Sequence, residues 1–438
     1  MGIVLGANGQ SFQEGFMLQD YSLAYRYNPA LAPQHDFLSL FQYNSYKRNN
    51  VGASTFLYPT DGEVVTFLNS KVPADTFAEK LKDDNYLTKT LDFNLFSCGF
   101  YRKGATHTFE ANVKAKYSVS APGELFMFAK TGTDRSPYDF NRLRLQGDVY
   151  VEMAYGYSRK VDERFSFGGR IKLLAGFYSL DFNVTQLDLT TNEDHYQADI
   201  RTKLDLTNQT LKFGTKDEGL INFKDFAYKG LFNYPTGGGL AVDLGIAFKP
   251  VENLTVSASL LDLGTILWYY GNAAVSSGTV DFTGLNNLAY EDFNKDGLMA
   301  QLNNLKDDVL EKLTPREEKK KFRFQAIPFS AELGAKYSLP FYESLSLGFT
   351  GQYIGYQWMP YWESRFALAI NPVDWFDCTA NIGAGEYGLV WGAAASIHLA
   401  KIRFNAGLGN GFGGTMPHRS MPVTANLKSL TVGLAYDL

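Results

Sequence analysis

The chain has 438 residues, is rich in aromatic residues (15%) and glycine (41 residues), and carries only 20% charged residues, against about 25% in typical soluble domains. A net charge of -5 supplies none of the basic field that a nucleic-acid partner needs, and two cysteines, Cys98 and Cys378, build neither a disulfide framework nor a four-ligand zinc site and read as packing residues. No stretch reads as a membrane-spanning helix of about 18 mainly apolar residues, because the best uncharged candidate, 263–280, is broken by Gly264, Gly271, Asn272, Ser276, Ser277 and Gly278.

In chain order, the first element is Ile3-Val4-Leu5-Gly6-Ala7, which reads as the tail of a signal-peptide apolar region running into small residues. Residues 1–7 are therefore expected to be a signal-peptide remnant. The segment up to residue 36 holds Phe12, Phe16, Met17, Leu18, Tyr21, Leu23, Tyr25 and Tyr27, too apolar for a solvated tail. It is expected to plug the interior of whatever follows, either gating a path for an apolar ligand or simply blocking and stiffening it.

From residue 37 onward the dominant signal is alternation with period two, which sends every second side chain to one face of a strand. Phe109, Ala111, Val113, Ala115, Tyr117 and Val119 alternate with Glu110, Asn112, Lys114, Lys116 and Ser118. Fourteen such runs are predicted, at 37–48, 91–102, 106–119, 145–158, 164–178, 238–249, 253–268, 329–339, 344–356, 362–371, 374–384, 388–399, 401–412 and 426–438. Each is near the 9 to 11 residues that a tilted strand needs to cross a bilayer. The links alternate between long (49–90, 120–144, 179–237, 269–328) and short (Lys103-Gly104, 159–163, 249–253, 339–343, 371–374), as they do between the two sides of a membrane barrel. The fold class is thus all-β: a transmembrane antiparallel β-barrel of about fourteen strands over 37–438, with residues 1–36 as a luminal plug. Large external loops at 49–90, 179–237 and 269–328 are expected to carry short helices, one at 74–83 and one through Leu298, Leu302, Leu305, Val309 and Leu313 up to Thr314-Pro315. A soluble β-sandwich is the competing architecture.

Charges predicted to face inward have both signs: Glu110, Lys114, Lys116, Asp148, Glu152, Arg170, Lys172, Asp243, Glu332, Lys336, Glu363 and Arg365. This suits pairing across the lumen more than a one-sign selectivity ring, so an open ion channel is not expected. Asp292, Asn294 and Asp296 before Gly297 place oxygens at alternate positions as at the start of a calcium loop. Asn303 stands where an EF-hand needs a bidentate Glu, which leaves a partial calcium site or a plain acidic turn. No other cofactor is expected. Of the five histidines only His418, beside Ser420, sits in a predicted outer loop near a hydroxyl, with no carboxylate at motif spacing, so the chain is not expected to be an enzyme.

Tyr27-Asn28-Pro29-Ala30 resembles the Asn-Pro-Ala motif in the N-terminal hatch of FadL-like long-chain fatty-acid transporters, which are fourteen-stranded outer-membrane barrels. Nearly the whole chain resembles an uncharacterised family of Bacteroidota outer-membrane barrels with no assigned function. That likeness is carried by Asn28 to Pro33, Phe56-Leu57-Tyr58-Pro59, Val64 to Asn69, Ala74 to Lys82, Leu260-Leu261-Asp262-Leu263-Gly264 and the acidic segment after Asp292. The alternating run Leu430, Val432, Leu434, Tyr436, Leu438 resembles the C-terminal assembly signal of outer-membrane proteins, although it ends in Leu instead of Phe or Tyr. The resemblance to the FadL-like group implies the bacterial outer membrane, contact with membrane lipid, and passive movement of a small hydrophobic molecule along a path held by Asn28, Pro29 and Ala30. The alternative expectation is a non-transporting structural or accessory subunit of a larger outer-membrane protein complex, with other outer-membrane proteins as partners.

Overall fold

The structure is a computed structural model that describes residues 13–18, 21–60, 63–132, 138–191, 196–207, 212–215, 221–227, 234–269, 271–282, 316–318, 322–355, 359–386, 388–409 and 429–438. Fourteen strands form the wall: β1 (Phe37–Asn49), β2 (Asp84–Arg102), β3 (Ala105–Pro122), β4 (Arg144–Lys160), β5 (Phe165–Thr191), β6 (Gly237–Val251), β7 (Leu254–Tyr269), β8 (Phe329–Ser338), β9 (Leu345–Gly355), β10 (Tyr361–Val373), β11 (Phe376–Gly385), β12 (Gly388–Leu399), β13 (Ile402–Gly409) and β14 (Ser429–Asp437). Each pairs antiparallel with the next. β14 returns to pair with β1, from Phe37 opposite Asp437 to Tyr46 opposite Ser429. The sheet is therefore a closed barrel with no free edge, which alone lets a sheet sit in lipid with its backbone satisfied.

The alternation has the polarity of a membrane barrel. On β5, Ile171 and Leu173 are exposed while Arg170 and Lys172 between them are buried. The same holds for Met153 against Glu152, Leu244 against Asp243, and Leu333 against Glu332. A water-soluble sandwich would bury the first set and expose the second; lipid as the outer solvent reverses the preference.

The long links differ from expectation in their content. β2 begins at Asp84 and not at 91. β5 runs for 27 residues, roughly 90 Å at the usual rise of a strand, so its second half stands clear of a bilayer core of about 30 Å even when tilted. There it pairs with the strand Tyr196–Thr207, which pairs in turn with Gly271–Phe282. The described parts of 179–237 and 269–328 thus carry an extended sheet, where the sequence reading predicts loop. The helix expected after Leu298 lies outside the described residues.

The first long link does hold a helix, Ala74–Ala78, and a second, Gly123–Thr131, occupies the link between β3 and β4. Glu124 in the first turn of the latter and Lys130 in its last turn complement its dipole. Phe77, Val72, Tyr58 and Met127 are buried between these pieces with Phe56, Phe67 and Phe126 around them, and Phe67 stacks on Phe77 with ring centroids 4.4 Å apart. This small core folds the link into an aromatic knob.

Candidate functional site

The described part of the N-terminal segment packs against inward-facing positions of strands from all around the barrel. Three short turns place its side chains. Asn28 follows the second turn, Ala24–Arg26, and its cap Tyr27, and caps the third, Pro29–Leu31, by accepting from the Ala30 amide through Oδ1 at 2.9 Å. Its Nδ2 donates to the Ile246 and Ala258 carbonyls of β6 and β7, both at 3.0 Å. Asn28 is fully buried and Pro29 and Ala30 are buried with it. The Asn-Pro-Ala triplet is therefore a wall contact in which one amide side chain satisfies three backbone groups.

That contact is close enough to dictate the wall sequence. A Cβ added at Gly168 would stand 2.3 Å from the Pro29 carbonyl oxygen, and one at Gly245 would stand 2.1 Å from Asn28 Oδ1. Gly168 and Gly245 are cross-strand partners on β5 and β6. Similar close approaches set Gly334 against Phe16 and Gly348 against Met17.

Other side chains of the segment reach different strands. Tyr21 donates to Gln42 on β1 at 2.7 Å, Tyr25 to Glu110 on β3 at 3.0 Å, and Tyr27 to the Leu333 carbonyl on β8 at 2.6 Å. Ser259 of β7 donates to the Tyr27 carbonyl at 2.8 Å, and Lys336 of β8 to the Met17 carbonyl at 2.9 Å. Burial pushes the phenols of Tyr25 and Tyr27 above their ordinary value, and the Glu332 carboxylate adds to the rise at Tyr27.

Arg26 enters a layer of ion pairs. It meets Asp92 at 2.5 Å and Glu110 at 3.5 Å, and also donates to Asn112 Oδ1 at 3.3 Å. Burial acts to lower its pKa, but the carboxylates around it, Asp92 first, outweigh that and raise it. Arg170 pairs with Glu110 and, at 2.9 Å, with Asp243; Lys172 meets Asp243 at 2.8 Å and Asp262 at 2.5 Å; Lys114 meets Glu152 at 2.9 Å and Asp262 at 3.5 Å. These side chains are almost entirely withdrawn from solvent. Removing charges from water costs several kcal/mol per ion unless partners surround it, and here each is surrounded.

Asp262 reaches this layer by an irregularity. Its φ is 60°, the left-handed region that Asp tolerates better than most residues. The β6–β7 register shifts between Val242 and Leu244, next to it, and the Asp262 amide donates to Asp243 Oδ1 at 2.7 Å. β7 pairs with β8 up to Leu261 and with the strand Phe322–Ala326 from Thr265. The bulge turns the carboxylate inward where strict alternation would set its neighbours.

The inward charges anticipated from alternation, Glu110, Lys114, Glu152, Arg170, Lys172 and Asp243, are thus brought together. Glu363 pairs with Arg365 elsewhere on the wall at 3.1 Å. Arg26, Asp92 and Asp262 were missed. Asp92 stands second in the strand predicted over 91–102, at an end where the alternation had barely begun, and Asp262 breaks period two, although the Leu-Leu-Asp-Leu-Gly run around it was conspicuous. Asp292, Asn294, Asp296 and His418 lie outside the described residues.

Other parts of the lumen differ from the ion layer. Trp268, Tyr150, Leu174, Ala241, Ile266 and Ile327 form a buried apolar cluster, with the Trp268 indole donating to Gln325 at 2.8 Å. At the end of the barrel bearing the short turns, a cavity of about 500 Å³ has Phe16, Leu18, Ala30 and Leu31 of the segment on one side and Lys160, Arg164 and Lys249 of the turns on the other.

Comparison with solved structures returns barrels: a FadL homologue of Pseudomonas aeruginosa (TM-score 0.49, 12% identity, 99% of each chain covered), the toluene transporter TbuX of Ralstonia pickettii (0.47, 7%, 95% of this chain and 92% of that one) and the toluene transporter TodX of Pseudomonas putida (0.45, 8%, 94% and 92%). No curated protein matches the sequence. The closed fourteen-strand ladder rests on this chain's own pairings. A family profile matches residues 29–408, from Pro29 of the wall contact to Leu408 in β13, and by that match the chain belongs to the Family of unknown function (DUF5723).

Proposed function

We propose that this protein is an integral barrel of the bacterial outer membrane, closed by its N-terminal segment acting as a plug, and that it passively moves a small hydrophobic molecule when the plug shifts. The observation that carries this reading is the cavity of about 500 Å³ whose inner side is made by the segment itself, with Phe16, Leu18, Ala30 and Leu31 presenting apolar surface. A ligand there meets the segment on one side and the turns of the wall on the other, and the ion layer lies between this cavity and the apolar cluster around Trp268. A volume of this size is in the range of small-molecule sites, and the apolar surface of the segment is joined there by charged side chains such as Lys160, Arg164 and Lys249. Asn28, Pro29 and Ala30 act in this scheme as the hinge point of the path.

A second reading, a non-transporting structural or accessory subunit, is favoured by the ion layer, since so many mutually paired buried charges resist separation. Gentle detergent extraction from native outer membranes, followed by mass spectrometry of bound proteins and lipids, separates the two. A solitary barrel retaining one enriched apolar ligand is expected; a stoichiometric protein partner with no such ligand would replace transport with the accessory role.

A further inference from the structure

The ion layer is assembled from two sources. The wall supplies the carboxylates Asp92, Glu110, Glu152, Asp243 and Asp262 but only the cations Lys114, Arg170 and Lys172; Arg26 comes from the N-terminal segment. Glu152, Asp243 and Asp262 are each met by wall cations, and Glu110 is met by Arg170. Asp92 is different: among the described residues its ion-pair partner is Arg26. Its side chain is 3% exposed, and its second oxygen, Oδ1, has no hydrogen-bond partner among the described residues. Asp92 and Arg26 line a void of about 30 Å³ together with Tyr21, Tyr27 and Asn44. Asn112 adds an acceptor, and its own amide is held in place by Glu110 at 3.1 Å and Glu152 at 2.9 Å.

We propose that Asp92, Glu110 and Asn112 form a wall-borne site for a small molecule bearing a guanidinium group, which Arg26 fills from within the same chain. A planar cation with several N–H donors can meet two carboxylates and an amide oxygen at once, whereas Arg26 reaches Asp92, Glu110 and Asn112 but among the described residues leaves its own Nη1 and Asp92 Oδ1 without a hydrogen bond. Without Arg26 the wall holds two carboxylates more than its cations match, in surroundings that screen charge poorly. An external cation of this class therefore competes with the N-terminal segment for the wall and favours its release. The site goes beyond the transport reading and does not depend on it, because binding is read on a purified barrel with no substrate crossing.

The probe is methylguanidinium chloride, with methylurea as the neutral isostere and sodium chloride at matched ionic strength. On purified Arg26→Ala, methylguanidinium is expected to bind saturably by calorimetry and to restore a large part of the lost thermal stability, while methylurea does neither. Adding Asp92→Asn to Arg26→Ala is expected to weaken binding by about tenfold or more, the scale of a lost charged hydrogen bond. Absence of saturable binding, equal binding of methylurea, or undiminished binding in the double variant would overturn the proposal. Should Arg26→Ala fail to fold, the wild-type chain decides: methylguanidinium is expected to speed chymotryptic cleavage after Tyr27 several-fold over methylurea, and an unchanged rate overturns the site.

Discussion

Asn28 Oδ1 lies where a Cβ on Gly245 would come within 2.1 Å of it, so the segment and the wall are fitted to each other at one atom. Gly245→Ala must push Asn28 out of its place between the Ile246 and Ala258 carbonyls. Overpacking of this kind costs about 1–3 kcal/mol, and the loss falls on the docked segment because the β5–β6 ladder can stay paired. Tryptic cleavage after Arg26 in isolated membranes is expected to be faster in Gly245→Ala than in wild type, with the heat-modifiable migration of the folded barrel retained. Cleavage at the wild-type rate would show that the segment is held elsewhere.

Arg26→Ala leaves Asp92 and Glu110 buried with one cation fewer between them. Breaking one side of a buried pair costs about 3–5 kcal/mol, and the thermal midpoint in detergent is expected to fall accordingly. Arg26→Lys is expected to recover only part of the loss, because an ammonium cannot span Asp92, Glu110 and Asn112 as a guanidinium fork does. Equal stability of the lysine variant and wild type would contradict the geometry.

The left-handed backbone at Asp262 separates two contributions. Asp262→Asn keeps a side chain that accepts φ of 60° and loses the charge facing Lys114 and Lys172. Asp262→Ala loses the same charge and also the short polar side chain whose local hydrogen bonding offsets the left-handed backbone cost, about 1 kcal/mol. Thermal midpoints are therefore expected in the order wild type, Asn, Ala, and inversion of the last two would remove the backbone argument.

Alkaline pH should loosen the segment. Burial raises the Tyr25 and Tyr27 phenols above their ordinary value, which is about 10 in the unfolded chain. A group whose folded pKa is raised contributes stability that is fully present below the unfolded pKa and is lost as pH climbs from there through the folded value. Thermal midpoints measured from about pH 8 to about pH 11 are expected to fall with pH in wild type and to fall less in Tyr25→Phe/Tyr27→Phe. An identical slope in the double variant would assign the alkaline loss to other groups.

The wall was legible because lipid imposes one rule on every strand: oily side out, polar side in, at period two. All fourteen strands follow it closely enough to be placed, β8 at Phe329–Ser338 and β12 at Gly388–Leu399 nearly residue for residue, and the even count closes the barrel. The same rule fixed which charges face inward. Beyond the membrane the reading missed the second half of β5, the strand Tyr196–Thr207 that pairs with it and Gly271–Phe282 beyond, although Leu180, Phe182 and Val184, and then Ala198, Ile200, Leu204 and Leu206, keep period two, because each strand was expected to end near the length that crosses a bilayer.

What the sequence determined by itself was therefore the barrel, its strand count, its inner charges and an N-terminal segment too apolar to be solvated. Only the tertiary structure decided which inner charge meets which, that Arg26 of the segment supplies a cation to Asp92, and that Asn28 bonds two strands at once. The physical reason is range. Alternation is set by neighbours two residues apart, whereas the meeting of Arg26 with Asp92, or of Lys114 with Asp262 across 148 residues, depends on barrel closure, on a bulge that turns Asp262 inward, and on glycines that let one stretch of backbone touch another.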